Sequence, residues 1–220
     1  MTARSTGSKC EENMSPEKLS RSEIISRFRT REIIEAAIKL VRDEGIDRLT
    51  MERLASAAGV AKGTVYLYFK DKDQLLMSVM SQVMQNVNEE IEEAVEWDGT
   101  IREKMFRVLD VLNESSRRYS DFFKMSHHQA QALTHAANSD AARDLCDRYT
   151  HALEIMSRMF ARSMERGEIV EADSRLLGLI FLKSSHAMLM KQIYELREDE
   201  YADAKFLVEM FLNGISLNKD

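Results

Sequence analysis

The chain has 220 residues, 44% of them hydrophobic and 31% charged, with a formal net charge of −6. That length allows one large or two modest domains with a sizeable buried core. Two cysteines, Cys10 and Cys146, form no disulfide framework or paired metal motif, no apolar run nears the ~20 residues that span a bilayer, and the N-terminus lacks a signal-type apolar core. The expectation is therefore a cytoplasmic protein with no membrane partner.

Residues 1–22 are rich in Ser, Thr, Lys and Glu, hold the single proline, Pro16, and show no helical period, so they read as a disordered tail. Basic residues there are candidates for brushing a phosphate backbone. A first helix is expected from about Ser26 to Glu44, with Ile33, Ile34, Ala37, Leu40 and Val41 as its inner stripe and Gly45 as its stop. Thr50 then N-caps a short helix from Met51 to Ala58 that carries Leu54, Ala55 and Ala58 on one face. Gly59 suits a sharp left-handed turn, after which Val60 fills the corner. In the third helix Val65 and Phe69 point inward, four residues apart, while Lys62, Thr64, Tyr66 and Tyr68 occupy the other edge and Lys70 and Lys72 follow. Such side chains are phosphate and base-edge donors on a helix narrow enough for the major groove. Met51 offers no more than apolar contact, and its role is open.

A fourth helix is expected from Asp71 or Lys72 to about Glu96, through Leu75, Leu76, Val79, Val83, Val87 and Ile91. The remainder reads as helices over Ile101–Arg118, Asp121–Ala136, Asp140–Arg166, Asp173–Arg197 and Glu200–Leu217, with Gly167 a helix stop. Strand alternation is found nowhere, so the fold class is all-α, with about nine helices. The domain division is a tail over 1–22, a helix-turn-helix head over 23–72 and a body over 73–220. Charge follows the same division. Residues 21–72 hold 11 Lys and Arg against 8 Asp and Glu, whereas residues 73–220 hold 17 against 26. A basic head on an acidic body suits a protein that meets phosphates at one end.

The run AxxAGVAKGTVYLYFKDKDQLL, between a helix ending at Gly45 and a long following helix, resembles the DNA-binding domain of the TetR family of bacterial repressors over roughly residues 27–80. The resemblance implies that Thr50, Lys62, Gly63, Thr64, Tyr66, Tyr68 and Lys72 contact DNA. Lys62 would reach a guanine or phosphate, Gly63 would let backbone approach closely, and Tyr66, Tyr68 and Lys72 would bind phosphates. It also implies a regulatory body that encloses a small effector, and dimerisation through the last two long helices.

Fourteen methionines, interleaved with Phe in the body, make an adaptable lining for apolar shapes. The candidate liners are Phe106, Phe122, Met125, His128, Met156, Phe160 and Met188, with His128 as the polar group. Small and large apolar residues on the last two helices, Gly178, Ser185, Leu182, Leu189, Phe206, Met210 and Phe211, are candidates for the dimer interface. His127, His128 and His135 lack metal-pair spacing and a completing carboxylate or cysteine, so no metal is expected, and no cofactor. No Gly-rich phosphate loop, nucleophile elbow or triad spacing is present, so no enzyme is expected. The functional expectation is a homodimeric repressor on a palindromic operator, released by a small apolar or aromatic effector. Its rivals are an activator, a constitutive DNA binder, a helical enzyme and a ligand carrier.

Overall fold

The computed structural model describes residues 20–124, 140–194 and 200–215. In chain order the helices are α1 (Arg21–Glu44), a 3-10 turn (Ile46–Arg48), α2 (Met51–Ala57), α3 (Lys62–Tyr68), α4 (Lys72–Glu96), α5 (Ile101–Arg118), α6 (Asp140–Glu165), α7 (Ser174–Tyr194) and α8 (Glu200–Ile215). Residues 120–124 are also helical. The fold class is all-α as expected, with no β-strand among the described residues. None of the described helices is long and apolar enough to cross a membrane.

Helix α1 starts earlier than its periodicity indicates. Ser20 accepts from the Glu23 backbone N–H at 3.2 Å while the Ser20 N–H donates to the Glu23 carboxylate at 2.7 Å, a reciprocal cap that begins the helix inside the stretch assigned to the tail. Glycine ends it. Gly45 takes φ 85°, and the chain passes through the 3-10 turn to the Thr50 cap. The head core forms where Ile33, Ala37, Leu49, Leu54, Val65, Phe69 and Leu75 meet, each nearly inaccessible to solvent.

Helix α4 belongs to both halves of the molecule. Its N-terminal part packs on α1, and its remainder lies along α6. Asn88 Nδ2 donates to the Arg148 carbonyl at 2.8 Å, Glu92 pairs with Arg158, and Glu96 pairs with Arg162 at 2.7 Å. These partners rise together in number, so α4 and α6 run parallel. Helices α6 and α7 form an antiparallel hairpin around Gly167, whose φ of 68° permits the closing bonds Gly167 N–H to Met164 O and Glu168 N–H to Ser163 O, each 2.9 Å. The body core centres on Phe160, whose ring lies 6.0 Å from Phe181 edge-on and 5.6 Å from Phe211 stacked.

The face of α7 assigned to a partner chain is corrected by the packing. A Cβ on Gly178 would sit 3.0 Å from the Ser157 backbone nitrogen and 3.2 Å from the Met156 Cβ, so Gly178 lets α7 close onto α6 within one protomer. Ser185, Leu189 and Phe211 are buried there as well, and Leu182 is half-buried against the core. Apolar residues circle α7, which leaves a second stripe, Leu176, Ile180 and Tyr194, facing solvent together with Phe206 and Met210 of α8.

Candidate nucleic-acid interface

The turn between α2 and α3 is fixed by backbone geometry. Gly59 has φ 66°, its N–H donates to Ser56 O at 3.2 Å, and the Val60 N–H reaches back to Ala55 O at 3.0 Å. This paired closure needs a residue that tolerates the left-handed region, which explains glycine at the corner. Val60 is half-buried against the head core, and Val65 and Phe69 are buried, so α3 is pinned by one edge. Its other edge is free.

On that free edge Lys62, Gly63, Tyr66 and Leu67 are exposed, while Thr64 and Tyr68 are half-buried. Apart from its chain neighbours and its own helix backbone, no atom of the described residues lies within 4 Å of where a Gly63 Cβ would be, so the backbone is open to a close approach from solvent. Lys62 pairs with Glu52 of α2 and its Nζ stands 5.8 Å from the Tyr66 ring centroid. The Lys62 bond holds the Glu52 carboxyl below the ordinary carboxylate range, and Glu52 in turn raises the lysine. Both groups are thus charged at neutral pH, and Glu52 is the anion that neutralises Lys62 within the head.

Thr50 caps α2 by accepting from the Arg53 N–H at 3.2 Å. Lys72, half-buried, opens α4, whose first turn is closed by the Asp71 carboxylate accepting from Gln74 N–H at 2.8 Å. Met51, left open by its sequence position, is buried in the head core. Leu67 is the residue that sequence reasoning passed over: an aliphatic between two tyrosines reads as core, yet it is 82% exposed.

The described candidate effector residues come from α5, α6, α7 and the short helical segment after α5, and all lie in or against one hydrophobic core. Met156 and Phe160 are fully buried on α6, Met188 is buried on α7, and Phe106 is half-buried on α5, its ring 6.2 Å from Tyr201 of α8. Met125, His128 and the other candidate histidines, His127 and His135, lie outside the described residues. Four buried side-chain polar atoms were not singled out from the sequence: Asn113 Oδ1, Ser115 Oγ, Arg148 Nε and Tyr149 Oη have no hydrogen-bond partner among the described residues. The stretch Leu112–Asn113–Glu114–Ser115–Ser116 carried the signal, since polar residues there fall in phase with the inner face of α5.

Phe122 is buried at the seam between head and body. There a cleft of about 190 Å³ lies between Val41, Arg42 and Gly45 on one side and Arg118, Tyr119 and Asp121 on the other. Asp121 crosses it, its carboxylate accepting from the Ile46 N–H at 3.1 Å. Arg118 fixes the body side by a fork onto Glu90 of α4, at 2.6 and 3.3 Å.

Residues 33–79 match the family of bacterial regulatory proteins known as the tetR family. The chain is 26% identical over 189 residues to the fatty acid metabolism regulator protein of Bacillus subtilis strain 168, covering 84% of this chain and 94% of that one. It is 27% identical over 183 residues to the transcriptional repressor KstR of Mycolicibacterium smegmatis, covering 79% and 84%. Among solved structures, FadR of Bacillus subtilis in complex with stearoyl-CoA superposes with a TM-score of 0.59 at 23% identity, covering 84% of this chain and 98% of that one. An exposed third helix on a glycine corner, a tetR-family match over that head, and transcriptional regulators as relatives along most of the length make this chain similar to the DNA-binding transcriptional regulators of the TetR family.

Proposed function

We propose that the protein is a homodimeric repressor of an approximately palindromic operator, released when an acyl thioester of coenzyme A or a similarly long apolar ligand enters the body. The observation that carries the DNA half of this reading is the free edge of α3, where Lys62, Tyr66 and Leu67 stand exposed around the uncovered Gly63 backbone. Lys62 supplies charge for a guanine edge or phosphate, Tyr66, Tyr68 and Thr64 supply hydroxyls, and Leu67 offers an apolar contact to a thymine methyl. Thr50 and Lys72, at the starts of α2 and α4, are suited to flanking phosphates.

The effector half rests on two supports. The body interior is built from Met105, Met156, Met159, Phe160 and Phe181 and carries uncompensated polar atoms at Asn113, Ser115 and Tyr149. An apolar chain ending in a carbonyl suits such a lining, because hydroxyls of Ser115 and Tyr149 can donate to it. The second support is the company of relatives: one is named a fatty acid metabolism regulator, and a structural neighbour holds stearoyl-CoA. Met156, Phe160, Met188, Phe106 and Phe122 remain the candidate walls, with Met125 and His128 completing the set proposed from sequence. Release then requires that the ligand favour the body conformation that holds the two heads at the wrong separation.

Selection of operator sequences from random DNA, followed by affinity measurements across salt concentrations, tests the DNA half. Lys72→Ala should weaken binding to all sequences alike and flatten the logarithmic salt slope by about one unit per protomer, whereas Lys62→Ala should also change base preference. Wild-type affinity in both variants would remove α3 from the interface. Titration of the operator complex with palmitoyl-CoA tests the effector half; release by aromatic compounds alone would reassign the ligand.

The seam gives a separate expectation. Asp121→Ala leaves the Ile46 N–H without its carboxylate, a loss of about 1.5–3 kcal/mol for a hydrogen bond to a charged group. Because this bond ties head to body, the variant should keep operator affinity within a few-fold yet need more ligand for release. An unchanged release curve would show that the signal bypasses Asp121.

A further inference from the structure

The first twelve residues of α1, Arg21–Glu32, contain no buried residue, although the helix there is well formed and capped at Ser20. At about 1.5 Å per residue they extend roughly 18 Å before Ile33 enters the head core. Their direction follows from the other end of the helix. Val41, Arg42 and Gly45 border the body, and the next residue, Ile46, is bonded to Asp121. The N-terminal turns therefore point away from the body. So does the Lys72 end of α4, whose opposite end is tied to α6 by Glu92 and Glu96.

The composition of this projection is not that of an ordinary solvated face. Ile24, Ile25 and Phe28 are each more than half exposed, and Arg21, Arg27 and Arg31 are interleaved with them. At about 100° per residue these six share an arc of roughly 160°, with Ile24, Ile25 and Phe28 on the side of the helix away from the buried stripe of Ile33, Ile34, Ala37, Leu40 and Val41, and only the Arg27 edge of the arc in line with buried Ile38. They are thus not a frayed continuation of the head core. Arg21 and Arg27 form no ion pair among the described residues, Arg31 shares Glu35 at 3.4 Å, and the acid on the same arc, Glu32, is held by Arg29 at 2.8 Å.

We propose that this projecting face lies along the duplex outside the base pairs read by α3, with Arg21, Arg27 and Arg31 on flanking phosphates and Ile24, Ile25 and Phe28 packed against the sugars between them. The proposal rests on the DNA-binding reading above and extends it to a second, sequence-independent contact. Positive charge at the end remote from an acidic body is what favours DNA over protein as the occupant. Eighteen ångströms corresponds to about five base pairs at roughly 3.4 Å each, so each operator half-site would be lengthened by that much.

The test uses the full chain and an operator recovered by selection from random DNA, prepared as a short duplex ending at the outermost selected base pairs and as a long one with six arbitrary base pairs added on each side. The wild type should bind the long duplex at least tenfold tighter, with a salt slope steeper by up to about five units, for six arginines per dimer. An Arg21→Ala, Arg27→Ala, Arg31→Ala triple variant should bind both duplexes with the wild type's affinity for the short one; alanine in an exposed helix leaves folding intact. Equal wild-type affinity for the two duplexes, or a length preference that survives in the triple variant, would overturn the proposal while leaving the α3 contact standing. Failure to select any operator would instead remove the DNA-binding reading. Sedimentation of the DNA-free protein adds the remaining outcome: a species larger than a dimer that Phe28→Ser dissolves would assign the face to a second copy and overturn the DNA contact.

Discussion

Replacing Phe206 and Met210 together by Glu is expected to yield a folded monomer whose operator affinity falls at least a hundredfold. Both side chains lie on α8 at half or more of full exposure, beside the solvent-facing stripe Leu176, Ile180 and Tyr194 of α7. An apolar surface of this kind on two adjoining helices is what an isologous four-helix interface buries. Two carboxylates at its centre would each face their own symmetry copies, and removing an unpaired charge from water costs several kcal/mol. A monomer then contacts a single half-site and forfeits the effective concentration that links the second. Sedimentation velocity at micromolar concentration, with operator binding in parallel, makes the comparison. A wild-type monomer, or a variant dimer with intact affinity, would place the interface elsewhere. Gly178, the position first suggested by the sequence, is unsuited to this test because a side chain there strikes the Ser157 backbone and disturbs the protomer itself.

Phe160→Ala should produce the largest loss of stability, about 3–5 kcal/mol, because it removes a fully buried ring and leaves a cavity between Phe181 and Phe211. Chemical denaturation followed through Trp97, the single tryptophan, reads the change. If the cavity stays open, long apolar ligands should recover part of the loss, which links this measurement to the effector. A destabilisation below about 1 kcal/mol would mean that Phe160 lines a void in the wild type already.

Much of this was legible in the sequence where one physical cause dominates. Thr50, Gly59 and the inward pair Val65 and Phe69 announce the head because caps, left-handed corners and a four-residue apolar spacing each admit few alternatives. The bounds of α4 and α5 likewise fall where the apolar spacing put them, from Lys72 to Glu96 and from Ile101 to Arg118. The start of α1 was missed because Ile24, Ile25 and Phe28 do not continue the inner stripe, so periodicity failed although the Ser20 and Glu23 box was present. On α7 periodicity was ambiguous for the opposite reason: with apolar residues on all sides, nothing in the one-dimensional pattern distinguishes Gly178 and Ser185, which face α6, from Leu176 and Ile180, which face outward. The seam was invisible for want of local cause. Ile46 and Asp121 are 75 residues apart, and their bond exists because two helices happen to arrive together.

Helix α4 has a mechanical consequence. Its 25 residues make a rod of about 37 Å, anchored in the body at Glu92 and Glu96 and carrying the head at Lys72. A tilt of about 5° at the anchored end sweeps the free end through roughly 3 Å, close to the rise of one base pair. Two such rods moving symmetrically would alter the span between recognition helices by nearly two base-pair steps, enough to put paired half-sites out of phase with a rigid operator. The body therefore need not unfold or open widely for a bound ligand to be felt at the DNA; a displacement of a few tenths of an ångström where α4 meets α6 is multiplied by leverage.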